Sequence, residues 1–238
     1  QHPPSSIPVF TERKKEGEIT MKKIYLLFVP VGLVLFLSMH EAYAAKKTDL
    51  LANGMQLSDQ WVITDGVLSP SEKPGGLIWS KDVFDNFEIS IEYKTSPKCN
   101  SGLFFRADPK NPVQGGFEVQ IASPGLYSGK HVVGSLYDAK EPAVHAGKPD
   151  GEWNALTVRC QGPRIHAVLN GEEVLDLLID DWTTSNQNPD GTKNKFKKAL
   201  KELPRKGHVG FQYHGHPVWI RNVQVTPLNA TASLSKSD

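Results

Sequence analysis

The run Phe87-Glu88-Ile89-Ser90-Ile91-Glu92-Tyr93-Lys94 alternates apolar and polar side chains without a slip. Successive side chains on an extended strand point to opposite faces, so this octet makes one buried and one polar face; a helix would scatter its apolar groups around the axis. Leu103 to Arg106, Phe117 to Ile121, Ala155 to Arg159, Ile165 to Leu169, Val209 to Tyr213 and Val218 to Val225 repeat the habit less strictly. Turn chemistry separates them, at Asn100-Ser101-Gly102, Gln114-Gly115-Gly116, Gln161-Gly162-Pro163 and Asn170-Gly171. Short strands punctuated by Gly and Pro predict an all-β fold, a two-sheet antiparallel β-sandwich of the jelly-roll type. One segment departs from the pattern. After Trp182 comes a polar loop, Thr183 to Asn194, then a lysine-rich stretch whose Phe196, Ala199, Leu200 and Leu203 fit helical spacing before Pro204. It is read as the one short helix, Lys193 to Leu203, with a solvated basic face.

The sandwich is expected to occupy residues 45–238. Upstream, Met21, Lys22 and Lys23 form a positive n-region, Ile24 to Leu37 is an uncharged apolar run, and Ala42-Tyr43-Ala44 is a small-x-small cleavage signal. That apolar run is short for a bilayer span, which takes about 20 residues. Residues 21–44 are therefore read as a signal peptide, with export to the periplasm or the extracellular space and no membrane span after cleavage. Residues 1–20 begin with Gln and are read as over-called translation, with Met21 as the start.

The chain carries 27 Lys and Arg against 26 Asp and Glu, a net charge of +1. Residues 1–44 hold five of the basic and four of the acidic side chains, so the exported body is neutral. Neutrality argues against a nucleic-acid partner, which calls for a concentrated basic excess, and favours neutral ligands. Cys99 and Cys160 are the two cysteines. They either pair after export or stay as separate thiols.

In Phe117-Glu118-Val119-Gln120-Ile121, strand alternation puts three apolar side chains on one face and Glu118 with Gln120 on the other. Phe104 and Arg106 share a face by the same spacing, an aromatic beside a guanidinium suited to stacking on and hydrogen-bonding a sugar. Gln212-Tyr213-His214-Gly215-His216-Pro217 is the densest polar cluster. Strand spacing would align Gln212, His214 and His216, and paired imidazoles serve acid-base chemistry or a divalent metal, with Glu118 as a third ligand. Trp153, at a strand start, is read as a core anchor. A Glu-x-Asp-x-x-Glu strand counted from Glu118 would need carboxylates where Gln120 and Ser123 stand, so a plain two-carboxylate glycosidase is disfavoured.

In order, Asn100-Ser101-Gly102-Leu103-Phe104-Phe105-Arg106, Gly116 to Ile121, Gly134-Ser135-Leu136-Tyr137, Gly151-Glu152-Trp153-Asn154, Leu169-Asn170-Gly171 and Gly207 through His216 to Val223 resemble the exported 3-keto-disaccharide hydrolase domain. The likeness runs from about Leu77 to Leu228. Upstream of it, the usual Leu-Phe-Asn-Gly opening is reduced to Leu51-Ala52-Asn53-Gly54, and Tyr213 replaces the more usual acidic residue before His214.

The resemblance implies a concanavalin-like jelly roll acting on 3-keto-glycosides. A C3 ketone acidifies the C2 proton; a base removes it, the enolate expels the C1 substituent, and water adds back to the enone. His214 or Glu118 would be the base, the other serving with His216 in metal binding or proton transfer, while Arg106, Gln120 and Gln212 hold the sugar. A divalent metal at His216 would stabilise the enolate. The implied partners are a carbohydrate ligand and an upstream sugar 3-dehydrogenase. The alternative is a non-catalytic carbohydrate-binding module on the same fold.

Overall fold

In the computed structural model the described residues are 46–229, so residues 21–44, read as a signal peptide, and residues 1–20, read as over-called translation, lie outside them. Strand β5 (Phe87–Thr95) realises the perfect alternation, with Phe87, Ile89, Ile91, Tyr93 and Thr95 buried and the residues between them partly exposed. It sits near the middle of an eight-stranded antiparallel sheet between β8 (Asn154–Gln161) and β12 (Val218–Pro227). Outward from β8 lie β9 (Arg164–Leu169) and β10 (Glu172–Leu178); outward from β12 lie β3 (Val67–Pro70) and β2 (Trp61–Thr64), and the short β1 (Thr48–Asp49) also pairs with β12.

The second sheet is four-stranded, ordered β4 (Leu77–Phe84), β11 (Gly207–Gln212), β6 (Asn100–Ala107) and β7 (Phe117–Ala122). Between the sheets, the inner face of β5 joins Leu103, Phe105, Phe117, Val119, Val209 and Phe211 in one buried cluster. Each such side chain taken from water contributes about 1.5–3 kcal/mol, which makes the register of both sheets costly to slip. The β9–β10 hairpin turns on Asn170 and Gly171, both at positive φ (53° and 91°), the type I′ geometry that the Asn-Gly pair favours. The chain is thus an all-β, two-sheet antiparallel sandwich, as the alternation predicts.

The short helix lies elsewhere than expected. It is α1 (Leu50–Asn53), whose N-terminus is capped by the Asp49 side chain accepting from Leu51 N. Within Lys193–Leu203 only Leu200–Glu202 form a 3₁₀ turn. The apolar side chains there are buried as the spacing suggests, but side-chain acceptors capture the backbone. Lys195 N donates to Asp138, Phe196 N to Asn194 and Lys197 N to the Gln114 side chain, so those donors are not available to a helical ladder.

Cys99 and Cys160 are both buried and unpaired; burial pushes each thiol up to about 12. Trp153 is not a core anchor. Asn154, the first residue of β8, is the buried one, so alternation turns Trp153 outward, where it lies under Arg221 (3.9 Å from ring to guanidinium carbon) and Lys94 (5.1 Å).

Candidate functional site

Glu118 and Gln120 project from β7 onto the face of the small sheet turned away from the core, level with Phe104 and Gly102 of β6. Two glycines clear that face. A side chain at Gly102 would meet Glu118 Oε1 at 2.2 Å, and one at Gly210 would meet the Trp79 ring at 2.3 Å. Trp79 and Phe104 pack edge to face beside the carboxylate's strand. Sequence alternation predicts one polar, open face for β7, yet all six of its residues are buried.

The cover over Glu118 is Lys195 and Tyr137. Lys195 Nζ stands 3.9 Å from Glu118 Oε2 and 4.1 Å from the centre of the Tyr137 ring. Tyr137 is fixed by its backbone N–H, which donates to Glu118 O at 2.9 Å, and its ring also packs 4.7 Å from His131, which bonds Asp138. Asp138 in turn accepts from Lys195 N, so the ammonium is aimed by its own backbone.

Electrostatics follow from this burial. Glu118 is pushed up to about 7, because loss of water outweighs the attraction of Lys195. Burial pulls Lys195 down, opposed by Glu118 and Asp138. Tyr137 is raised by burial first, then by the neighbouring Glu118, Asp138 and Tyr127. A carboxyl half-ionised near neutrality beside a caged cation suits general acid-base work.

A second arm is a relay of side chains. Gln120 Nε2 donates to Asn100 Oδ1 (2.9 Å), and Asn100 Nδ2 donates to His214 Nδ1 (2.7 Å). With Nδ1 accepting, the neutral His214 imidazole carries its proton on Nε2. Gln120 Oε1 is buried without a partner, an acceptor left over inside the site. The structure thus ties His214 to Gln120, and Glu118 lies two residues along the same strand.

Three other expected residues fall differently. Gln212 ends β11 half-buried, its carbonyl accepting from Ser101 Oγ. Strand spacing stops there; Gly215 at φ 99° turns the chain, and His214 and His216 are exposed on that turn instead of continuing a strand face. Among the described residues no three His, Cys, Asp or Glu side chains gather as a ligand set, so His216 lacks companion ligands for a metal there.

Arg106 does not share the Phe104 face. Its φ of 48° breaks the alternation, the side chain is fully buried, and Nε and Nη1 donate to Asp85 O (3.0 Å) and Gly162 O (2.8 Å). The guanidinium joins the turn before β5 to the turn after β8, and none of it is open to a sugar.

Lys195, Tyr137 and Asn100 are the residues that sequence reasoning missed. Lys195 sits in a lysine-rich stretch read as solvated, whereas Tyr137 and Asn100 stand inside quoted motifs without a role.

Residues 47–226 match the family model described as the 3-keto-alpha-glucoside-1,2-lyase-like domain. A 3-keto-disaccharide hydrolase of Bacteroides thetaiotaomicron is 29% identical over 210 residues, covering 73% of this chain and 72% of that protein. The crystal structure of a candidate glycosyl hydrolase from Parabacteroides distasonis superposes with a TM-score of 0.72 at 31% identity, covering 77% of this chain and 100% of that one. A second from the same organism gives 0.64 at 21% identity, over 77% of this chain and 94% of that one, a likeness of fold. The family match takes in Leu51 to Gly54 and so begins well upstream of the motif likeness at Leu77.

Proposed function

The chain belongs to the 3-keto-alpha-glucoside-1,2-lyase-like domain family, and from that premise we propose that it cleaves 3-keto-glycosides by elimination and rehydration, with Glu118 as the base. The observation that carries this reading is the buried Glu118 carboxyl, raised to about 7 with the Lys195 ammonium 3.9 Å away. Such a group is about half ionised at neutral pH and is a far stronger base than a solvated carboxylate.

Glu118 takes the C2 proton, and the electron pair moves onto the C3 oxygen as an enolate. Lys195, with Tyr137 beside it, supplies the positive charge that steadies this oxygen. The enolate then collapses: a C1–C2 double bond forms, the C1–O bond breaks, and the departing oxygen, held by a hydrogen bond from His214 Nε2–H, takes its proton from water. The hydroxide left by that water adds at C1, and the carboxylic acid of Glu118 returns a proton to C2. Atoms balance to one water consumed per bond cleaved. Gln120, through its unpartnered Oε1, and the half-buried Gln212 accept and donate to sugar hydroxyls. The chemistry needs a ketone made beforehand, so a sugar 3-dehydrogenase must act upstream. It is also proposed to occur after export, which N-terminal analysis of the mature protein tests, with Ala45 expected first.

The decisive experiment is incubation with a 3-keto-glucoside and its parent glucoside in deuterated water. The keto substrate should be cleaved with deuterium appearing at C2 beyond an enzyme-free control, and the parent left intact, because only the ketone acidifies that proton. Glu118→Gln should lower kcat by roughly 10²- to 10⁴-fold. Saturable binding of the keto sugar without turnover in the wild type would make the protein a carbohydrate-binding module.

A further inference from the structure

Beyond Ala122, the strand that carries Glu118 and Gln120 runs directly into the wall of a cavity of about 400 Å³, lined by Pro124, Gly125, Tyr127, Glu141, Pro142 and His145 among others. Pro124 is four positions beyond Gln120, at most roughly 13 Å of chain. That is the scale of a second sugar ring beyond the one at Glu118. The far wall is anchored to the same strand: Gly134 N donates to Gln120 O and Gln120 N to Ser135 O, which sets Val132 and Val133 of the cavity beside β7.

We infer that this cavity is the subsite for the leaving-group sugar, taking an uncharged pyranose whose C1-linked oxygen departs at His214. The inference rests on the elimination reading above. Tyr127 is 38% exposed and offers a ring for stacking on the C–H face of a sugar, while the Glu141 carboxylate and His145 imidazole supply an acceptor and a mixed donor-acceptor for its hydroxyls. Aromatic face plus a few polar groups in a cavity of this size is the make-up of a small-ligand site. Gly129, at φ 62°, keeps room for Glu141, since a side chain there would come within 3.1 Å of its carboxylate oxygen. The cavity and the Glu118 site are also neighbours through Tyr127, which is close enough to Tyr137 to act on its charge.

The test compares a 3-keto-disaccharide with its methyl 3-keto-glucoside counterpart, whose leaving group is too small to reach the cavity. In Tyr127→Ala and Glu141→Gln, folded by circular dichroism, the ratio of kcat/KM for disaccharide over methyl glycoside should fall about tenfold or more, the worth of one good contact. Both residues are exposed, so the variants should keep the fold. An unchanged ratio in both variants overturns the subsite. If the wild type turns over neither substrate, it is the elimination reading that has failed, and glucose titration followed by NMR decides the cavity separately. Saturable shifts of the Tyr127 and His145 ring signals, with the His145 shift lost in Tyr127→Ala, would support it, and no shift at millimolar glucose would overturn it.

Discussion

Lys195 Nζ lies 3.9 Å from Glu118 Oε2, near enough for charge attraction and too far for a hydrogen bond. Burial and the ammonium therefore act on the carboxyl in opposite directions, and burial wins. The base form accumulates as pH rises through about 7, so kcat/KM for a 3-keto-glycoside should climb with a midpoint there. Lys195→Met removes the lowering influence; the limb should move to higher pH and kcat should drop as the enolate loses its cation. Lys195→Arg should restore much of the midpoint, which a merely structural lysine would not require. A midpoint that stays fixed in Lys195→Met would assign the limb to a different group.

The same shift bears on stability. Burial raises the Glu118 carboxyl from its ordinary value of 4.5 to about 7 in the folded protein. The unfolded chain therefore ionises first, and the stability linked to this group is full below about pH 4.5 and lost as pH rises through about 7. Two to three pH units at 1.36 kcal/mol each amount to about 3 kcal/mol. Glu118→Gln, which stays neutral, should melt close to wild type at pH 5 and above it at pH 8. Equal differences at both pH values would mean that Glu118 is not raised.

Asn100 holds the other arm. Its amide accepts from Gln120 and donates to His214, so its orientation fixes the imidazole tautomer. Asn100→Ala should free the ring, lower kcat about tenfold with little change in KM, and shift the ¹⁵N signals of His214 away from a pure Nε2–H form. A wild-type spectrum already showing Nδ1–H would refute the relay.

The fold was legible because β5 is buried on one face only, the case in which hydrophobic period and strand period coincide. β7 has the same alternation, but Lys195 and Tyr137 close its outer side, and nothing local in Phe117 to Ala122 foretells a cover contributed from residue 195. Lys195 is one of several lysines in its stretch; only its tertiary partners single it out, Asp138 accepting from its N–H and Gln114 Nε2 donating to its carbonyl, and these bonds, with Lys197 N donating to Gln114 Oε1, also account for the missing helix. Glu118 and Gln120 could be chosen from sequence because polar groups alternating with core residues are visible at short range, whereas the strand spacing that singled out His214 ends at Gln212. Arg106 could not be placed, since its positive φ turns a residue two along from Phe104 off that face.

Arg106 is thus expected to act on stability and not on recognition. Its guanidinium donates to two backbone carbonyls, Asp85 O and Gly162 O, and approaches the Asn86 side chain at 3.4 Å. Asn86 Oδ1 also receives Gly162 N at 2.7 Å, so the two turns are joined twice. Removing the guanidinium leaves buried carbonyls without donors, at about 1–3 kcal/mol apiece. Arg106→Met keeps most of the volume, isolating that loss, and should destabilise the protein by about 2–5 kcal/mol in chemical denaturation. Below its melting range the variant should bind a 3-keto-glycoside within about twofold of wild type. A tenfold loss of affinity with unchanged stability would instead put the guanidinium on the sugar.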